Sequence, residues 1–332
     1  MARLSLEDLQ SPVSIWKEQD VIDGERVDAF VAILRTTGCW WSWQKGCLMC
    51  GYNSASSRQV TSQHLRSQLA QASQRYKGEK MVKIYTSGSF LDPREVPLDI
   101  RGEIFSTFQG ADRVLVESRP EFITEENLQG VDPRAAVAIG LESANEEVLR
   151  KCVRKGFTVK DYTAAANVLR EARLPLRTYL LLKPPYLTER AAVEDTIASI
   201  AYAAPLSESV SINPVNVQRD TVVDALWRKG SYRPPWAWSL VEVLRMGRRM
   251  TDTRLISSPS GGGTVRGVHN CDRCDRKILD AVQHFSFSQD LDHLEVPECG
   301  CRQHWLALMD LQDALGTSVD VDRYLSDELE FD

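Results

Sequence analysis

Between Val27 and Val215, short apolar runs alternate with longer amphipathic stretches. The apolar runs are Val27–Leu34, Met81–Tyr85, Arg113–Val116, Ala135–Ile139, Leu176–Leu182 and Val210–Ile212. They are too short for core helices and read as buried strands. Ser62–Tyr76, Arg94–Phe108, Glu125–Gln129, Asn145–Lys151, Lys160–Glu171 and Glu189–Ala203 read as the helices between them. Six βα units with right-handed crossovers predict an α/β fold, a partial (β/α)6 TIM-like barrel with helices outside a parallel sheet. Chemistry in such folds sits at the C-terminal ends of the strands. Those ends carry Thr36–Cys50, Thr86–Pro93, Glu117–Pro120, Gly140–Ser143, Lys183–Pro185 and Asn213–Asp220.

The pattern changes after Trp227. Ser231–Trp238 is rich in proline and tryptophan, a helical stretch runs on to about Thr253, and Ser257–Gly263 reads as a flexible linker. This divides the chain into an N-terminal extension (1–26), a barrel with trailing helices (27–256) and a small C-terminal cysteine-rich metal-binding unit (257–332). The net charge of -6 excludes a cationic nucleic-acid coat but leaves room for local basic faces. The first thirty residues are charged and lack an apolar signal-peptide core, and no stretch is apolar enough for a membrane span. The expected location is the cytoplasm, away from membranes. The acidic end, Ser326–Asp332, is the one stretch that reads as a disordered tail.

Eight cysteines in such a chain are kept reduced, and their grouping reads as metal ligation. Cys39, Cys47 and Cys50 form C-x7-C-x2-C on the loop after the first strand. Soft thiolates select zinc or iron–sulfur sites. Three of them with no fourth leave one iron of a 4Fe–4S cubane open to a non-protein ligand, the coordination needed to bind and reductively cleave S-adenosylmethionine (SAM). The competing reading is a zinc site completed by a distant histidine. Cys271, Cys274, Cys299 and Cys301 form C-x2-C…C-x-C, a zinc knuckle or an auxiliary cluster, with His269 and His304 in reserve. Cys152 stands alone and reads as a buried structural thiol.

The strand ends add further parts of the radical SAM pattern. Ser87-Gly88-Ser89 resembles the Gly-Gly-Glu-like element whose backbone holds the SAM amino group. Gly140-Leu141-Glu142-Ser143 resembles the Gly-x-Glu-Ser near the SAM ribose in the methylthiotransferase and Elongator-like branches. Arg154-Lys155-Gly156-Phe157-Thr158 is similar to their Asn-Arg-Gly-Tyr/His-Thr, placing Lys155 where an arginine would meet the SAM carboxylate; lysine keeps the charge but not the fork. Tyr52, just after the third cysteine, joins this cofactor-binding set. The first cysteine gap is longer than the superfamily's commonest C-x3-C, and Met49 replaces the usual aromatic residue.

Thr37-Gly38-Cys39-Trp40-Trp41, Gly46-Cys47-x-Met49-Cys50-Gly51-Tyr52, Thr86–Asp92, Pro214–Gln218, Tyr232–Trp236 and the tail's His-Asn-Cys-x-x-Cys together resemble the archaeosine-biosynthesis radical SAM lyases, relatives of the Elongator catalytic subunit. The resemblance covers about residues 27 to 310. It implies a tRNA substrate, an electron donor, and a partner that attaches lysine to the cyano-deazaguanine base of the D-loop (position 15). The enzyme then cleaves the lysine carbon–nitrogen bond to leave the amidine of archaeosine. Asp92, Asn213, Asn216 and Gln218 are the substrate-side candidates. Lys151/Arg154/Lys155, Arg245/Arg248/Arg249/Arg254 and Arg266/Arg273/Arg276/Lys277 are candidate phosphate contacts. Competing readings are another radical SAM modification of tRNA (Elongator- or methylthiotransferase-like), radical chemistry on a small molecule, and a non-catalytic zinc-dependent RNA-binding adaptor.

Overall fold

The computed structural model describes residues 4–315, so Ser326–Asp332 lie outside the described residues. In chain order come α1 (Leu6–Gln10), β1 (Ser14–Ile22), β2 (Glu25–Ile33), α2 (Ser62–Arg75), β3 (Met81–Tyr85), α3 (Leu98–Thr107), β4 (Arg113–Glu117), α4 (Glu125–Leu128) and β5 (Ala135–Glu142). A π-helical turn, Val148–Val153, precedes α5 (Val159–Glu171), β6 (Leu176–Leu182), α6 (Glu189–Ala203), β7 (Ser209–Pro214), α7 (Val222–Arg228), α8 (Ala237–Met250), β8 (Arg254–Ile256), α9 (Asp275–Ser288) and α10 (Cys301–Leu315). The strands form one sheet in the order β1-β2-β3-β4-β5-β6-β7-β8. The pairs β2–β3, β3–β4, β4–β5 and β7–β8 are parallel. Chain order with parallel pairing is the connectivity of a TIM-like barrel, and the expected α/β class holds.

The residues of this chain form two compact units. Among the described residues, one comprises 4–46, Tyr52–Gly140 and Lys160–Arg177; the other comprises Cys47–Gly51, Leu141–Val159 and 178–315. β5 and β6 each begin in the first and end in the second. No helix among the described residues is long and apolar enough to cross a membrane.

Two strands were not anticipated. Within the stretch read as an extension, β1 pairs antiparallel with β2, with Ile22 opposite Glu25 across the two-residue turn Asp23-Gly24. Both turn residues have positive φ (49° and 86°), as a twisted hairpin requires. β8 adds a short strand beyond β7. The supposed linker is also built in: Ser257 is buried, its Oγ donating to Ile212 O and its N donating to Ser286 Oγ.

β1 contributes an acid to the first unit's interior. Asp20 meets Lys83 of β3 at 2.5 Å and Arg177 of β6 at 2.8 Å, and all three are buried. Burial works against the carboxylate, but Arg177 and Lys83 outweigh it and hold Asp20 well below its usual range. Removing one partner strands buried charge, so Asp20→Ala is expected to cost about 3–5 kcal/mol in urea unfolding at pH 7. A depressed native pKa contributes stability above the unfolded value and loses it as pH falls further. The gap between wild type and variant should therefore narrow below about pH 4. A gap unchanged from pH 7 to pH 3 would refute the ion-pair account.

Candidate functional site: two cysteine groups and the strand ends

In the first unit the site begins at the end of β2. Thr36 Oγ1 receives Gly38 N at 3.1 Å and donates to Glu95 Oε1 at 2.6 Å. The other Glu95 oxygen accepts from Ser89 N at 2.5 Å. Glu95 thus ties the turn before Cys39 to the Ser87–Ser89 turn after β3. Burial pushes its carboxyl up to about 7, against the hydrogen bonds from Thr36 and Ser89. Gly88 lies flush on Cys39: a Cβ there would come within 2.6 Å of Cys39 Cα and 2.3 Å of Glu95 Oε2. Ser89 Oγ receives Arg119 N, and Ser87 Oγ donates to the carbonyl of Tyr52, whose side chain is exposed.

The tryptophans after Cys39 are half-buried rather than core. Trp40 Nε1 donates to Glu121 at 2.9 Å, Trp43 Nε1 donates to Thr37 O, and the Arg119 guanidinium lies over Trp40 and Trp41. Asp92 is buried with both carboxylate oxygens on Arg94, at 2.9 and 2.8 Å.

Cys47 and Cys50 belong to the second unit, on a segment pinned at three points. Leu48 N donates to Val153 O at 3.0 Å, Val223 N donates to Leu48 O at 3.3 Å, and Gly51 N donates to Gln218 Oε1 at 2.5 Å. At the end of β5, Glu142 takes a left-handed backbone (φ 70°), a conformation non-glycine residues hold only where surrounding contacts impose it. Its carboxylate pairs with Lys155 at 2.5 Å. Lys155 follows Arg154, the C-cap of the π-helical turn, and such turns gather at functional sites. Ser143 is fully buried, donating to Asp195 at 2.9 Å and receiving Asn145 N. Burial pushes Asp195 up to about 6, with the Ser143 bond opposing. Asn213 exchanges hydrogen bonds with Ser211, and Asn216 lies beside Gly261. None of the three cysteines of this group is in a disulfide, and Cys152 is buried as expected.

The second cysteine group is compact. Sγ atoms stand 3.7 Å apart for Cys271–Cys274, 3.6 Å for Cys271–Cys299 and 3.5 Å for Cys274–Cys301, and all four lie within 4.8 Å of one another. Four thiolates at about 2.3 Å from one tetrahedral ion would stand about 3.8 Å apart. On the four irons of a cubane they would be spread more widely, so the donor set suits a single ion. Asn270 Nδ2 and Trp238 Nε1 point at Cys274 and Cys301, at 3.5 and 3.2 Å, as donors that would settle thiolate charge.

Several basic groups read as phosphate contacts serve the fold. Arg248 donates to Gln289 O, Arg254 to Ser286 O and Phe287 O, and Arg245 to Leu294 O. The first two cap the C-terminal end of α9, where cations are favoured. Arg273, Arg276 and Lys277 are exposed around the four cysteines. Sequence reasoning missed Glu95, Asp195 and the buried Lys183–Glu189 pair; Glu95 and Lys183 lie in loops, Glu189 in the first turn of α6 and Asp195 within that helix, with no periodic signal to mark them.

No protein-family model matches the chain. Among curated proteins, "Archaeosine synthase subunit beta" of Methanosarcina acetivorans is 38% identical over 316 residues, 91% of this chain and 91% of that protein. The protein of the same name from Thermococcus kodakarensis is 37% identical over 308 residues, 88% of this chain and 95% of that one. The solved structure of archaeal Methanocaldococcus infernus Elp3 overlaps 72% of this chain and 59% of that one, at a TM-score of 0.47 and 16% identity, too distant to add to what the two relatives establish.

Proposed function

The chain belongs to the archaeosine synthase subunit beta family, and on that premise we propose that it is a radical SAM enzyme of tRNA modification that cleaves the lysine C–N bond of the lysine-bearing deazaguanine at position 15 to form archaeosine. The observation that carries the proposal is near-full-length likeness to two proteins of that name. In this reading Cys39, Cys47 and Cys50 hold a 4Fe–4S cluster. The donor set suits it, being three partly exposed cysteines outside any disulfide, with the Gly88 backbone pressed against Cys39 where a side chain would intrude. When bound, cluster and SAM supply the one-electron chemistry that takes a hydrogen atom from a C–H bond too weakly acidic for any protein base.

The chain's own residues bind and orient. The Ser87–Ser89 backbone, Tyr52, Glu142, Ser143 and Lys155 form the SAM side. Lys155 supplies the cation for the SAM carboxylate and Glu142 holds it in place. Buried Ser143 acts through the turn it braces. Asp92, Asn213, Asn216 and Gln218 are the substrate-side candidates, of which Asp92, Asn213 and Gln218 are also engaged by Arg94, Ser211 and Gly51. Cys271, Cys274, Cys299 and Cys301 hold zinc. Because the relatives are beta subunits, the lysine-transferring synthase is the expected partner, with an external electron donor.

The test is anaerobic reconstitution, with iron, sulfide and zinc measured per chain, followed by 5′-deoxyadenosine release with dithionite and SAM. Wild type should release it, convert lysine-bearing tRNA to the amidine product, and fall to buffer background as Cys50→Ala. Zinc without iron or SAM cleavage would leave the RNA-binding adaptor. SAM cleavage without amidine formation would retain the radical enzyme and remove the lyase.

A further inference from the structure

The segment that carries Cys47 and Cys50 is only five residues long within its unit, and residues 214–224 meet it at Leu48, Met49 and Gly51. Gly51 N donates to Gln218 Oε1, and the approach is close: a Cβ on Gly51 would lie 3.0 Å from both Gln218 Cβ and Oε1, and 3.3 Å from Arg219 O. Val223 N closes on Leu48 O. Between them, Met49 packs against the buried cluster Val215, Val217, Val223 and Tyr232. This gives a physical reason for an aliphatic residue where the superfamily usually carries an aromatic: the space beside it is already filled by valines and a tyrosine.

Stretch 214–224 is in turn clamped from the far end of the chain. Val217 N donates to Arg266 O at 2.8 Å, and Arg266 Nη1 returns a bond to Val217 O at 3.1 Å. The same guanidinium forks onto Asp224 Oδ1 at 3.0 and 2.7 Å and lies 4.2 Å above the Trp227 ring. Asp224 Oδ2 receives Asp220 N, closing the loop that presents Gln218. Arg266 stands five residues before Cys271, and the intervening segment is fixed through His269 N on Pro235 O and Arg233 on His269 O.

We infer that Gln218 and Arg266 are positioning residues for the iron-ligand loop: Gln218 fixes Gly51 directly, and Arg266 fixes the stretch that carries Gln218. The four-cysteine unit thereby holds in place a loop distant from it in sequence. The role in cluster retention rests on the proposed function, because it requires Cys47 and Cys50 to be iron ligands; the mechanical role does not.

The test uses the full chain with zinc bound, with and without the cluster. In cluster-free protein, hydrogen exchange is followed at Leu48–Gly51 and at Val217–Val223; in reconstituted protein, the rate of iron loss to a chelator is followed. Gln218→Leu should speed exchange at Leu48–Gly51 and speed iron loss by about tenfold, the scale of losing a group that orients a metal ligand. Gln218→Glu keeps the acceptor and should behave as wild type. Arg266→Met should loosen both stretches with zinc content unchanged, and Arg266→Lys, which keeps charge without the fork, should fall between. Loosening of Val217–Val223 with Leu48–Gly51 left as in wild type would overturn the coupling. If Arg266→Met fails to fold, half-buried Gln218→Leu still decides, because unchanged exchange at Leu48–Gly51 refutes the inference. Wild type that takes up no iron would remove the cluster reading alone, with the exchange result standing on its own.

Discussion

Cys274→Ser is expected to empty the four-cysteine site and loosen the C-terminal helices before any other part of the fold. Four thiols packed with Sγ separations of 3.5–3.7 Å for three pairs cannot all ionise unless a cation sits among them. Burial pushes the Cys274 thiol up to about 11, and a bound metal would take the place of its proton. Structural zinc contributes on the order of 10 kcal/mol in small domains whose folding depends on it. Here the surrounding protein already offers anchors. Asn270 Oδ1 receives Ala237 N at 2.8 Å, and Trp305 Nε1 donates to Ser239 at 2.9 Å. The loss should therefore be smaller than in an isolated finger, about 3–5 kcal/mol, read as a lower urea midpoint with zinc absent from the purified protein. Since binding releases protons, acidification should also strip zinc from wild type, and a chelator should mimic the variant at neutral pH. A Cys274→Ser protein that keeps stoichiometric zinc and the wild-type midpoint would show that the four sulfurs are not a metal centre.

What was legible beforehand follows from which interactions are local. Six strand positions could be read because a buried parallel strand must be apolar on both faces. β1 could not: Ser14–Ile22 carries Lys17, Glu18, Gln19 and Asp20 on an edge strand, where charges are tolerated and protect against mispairing. Its local signal is Asp23-Gly24, a strong hairpin marker. The cysteine groups were legible because ligand chemistry demands fixed residue types at short spacing. The basic runs misled for the opposite reason. Arg245, Arg248 and Arg254 look like a phosphate patch along the chain, yet each binds a carbonyl 32 to 49 positions away, beyond the reach of local pattern. Glu95 and Asp195 were invisible because a buried carboxyl is spelled like an exposed one. Gln218 reads in the sequence as a polar group at a strand end, but only the fold places its oxygen on Gly51.

Glu189→Ala should be among the most destabilising single changes outside the metal site, about 3–5 kcal/mol by urea unfolding at pH 7. Glu189 is fully buried and opens α6, yet its carboxylate serves another helix. One oxygen accepts from Trp236 N at 2.8 Å and Ser239 Oγ at 2.6 Å, satisfying the start of α8, whose N-cap Trp236 has no capping side chain. The other meets Lys183 Nζ at 2.5 Å. Lys183 is itself buried, on a left-handed backbone (φ 61°), with its carbonyl held by Tyr232 Oη at 2.7 Å. Alanine would leave an ammonium and two donors without an acceptor where water cannot replace it. The loss therefore comes mainly from the partners left behind. That account makes a second, sharper claim: Lys183→Met should be severe alone, yet Lys183→Met combined with Glu189→Gln should recover much of the loss, because glutamine's oxygen can still serve Trp236 N and Ser239 once no charge needs balancing. If the double variant is as unstable as the sum of the two singles, the pair is not coupled, and the buried charge would have to be stabilised by something other than the contact between them.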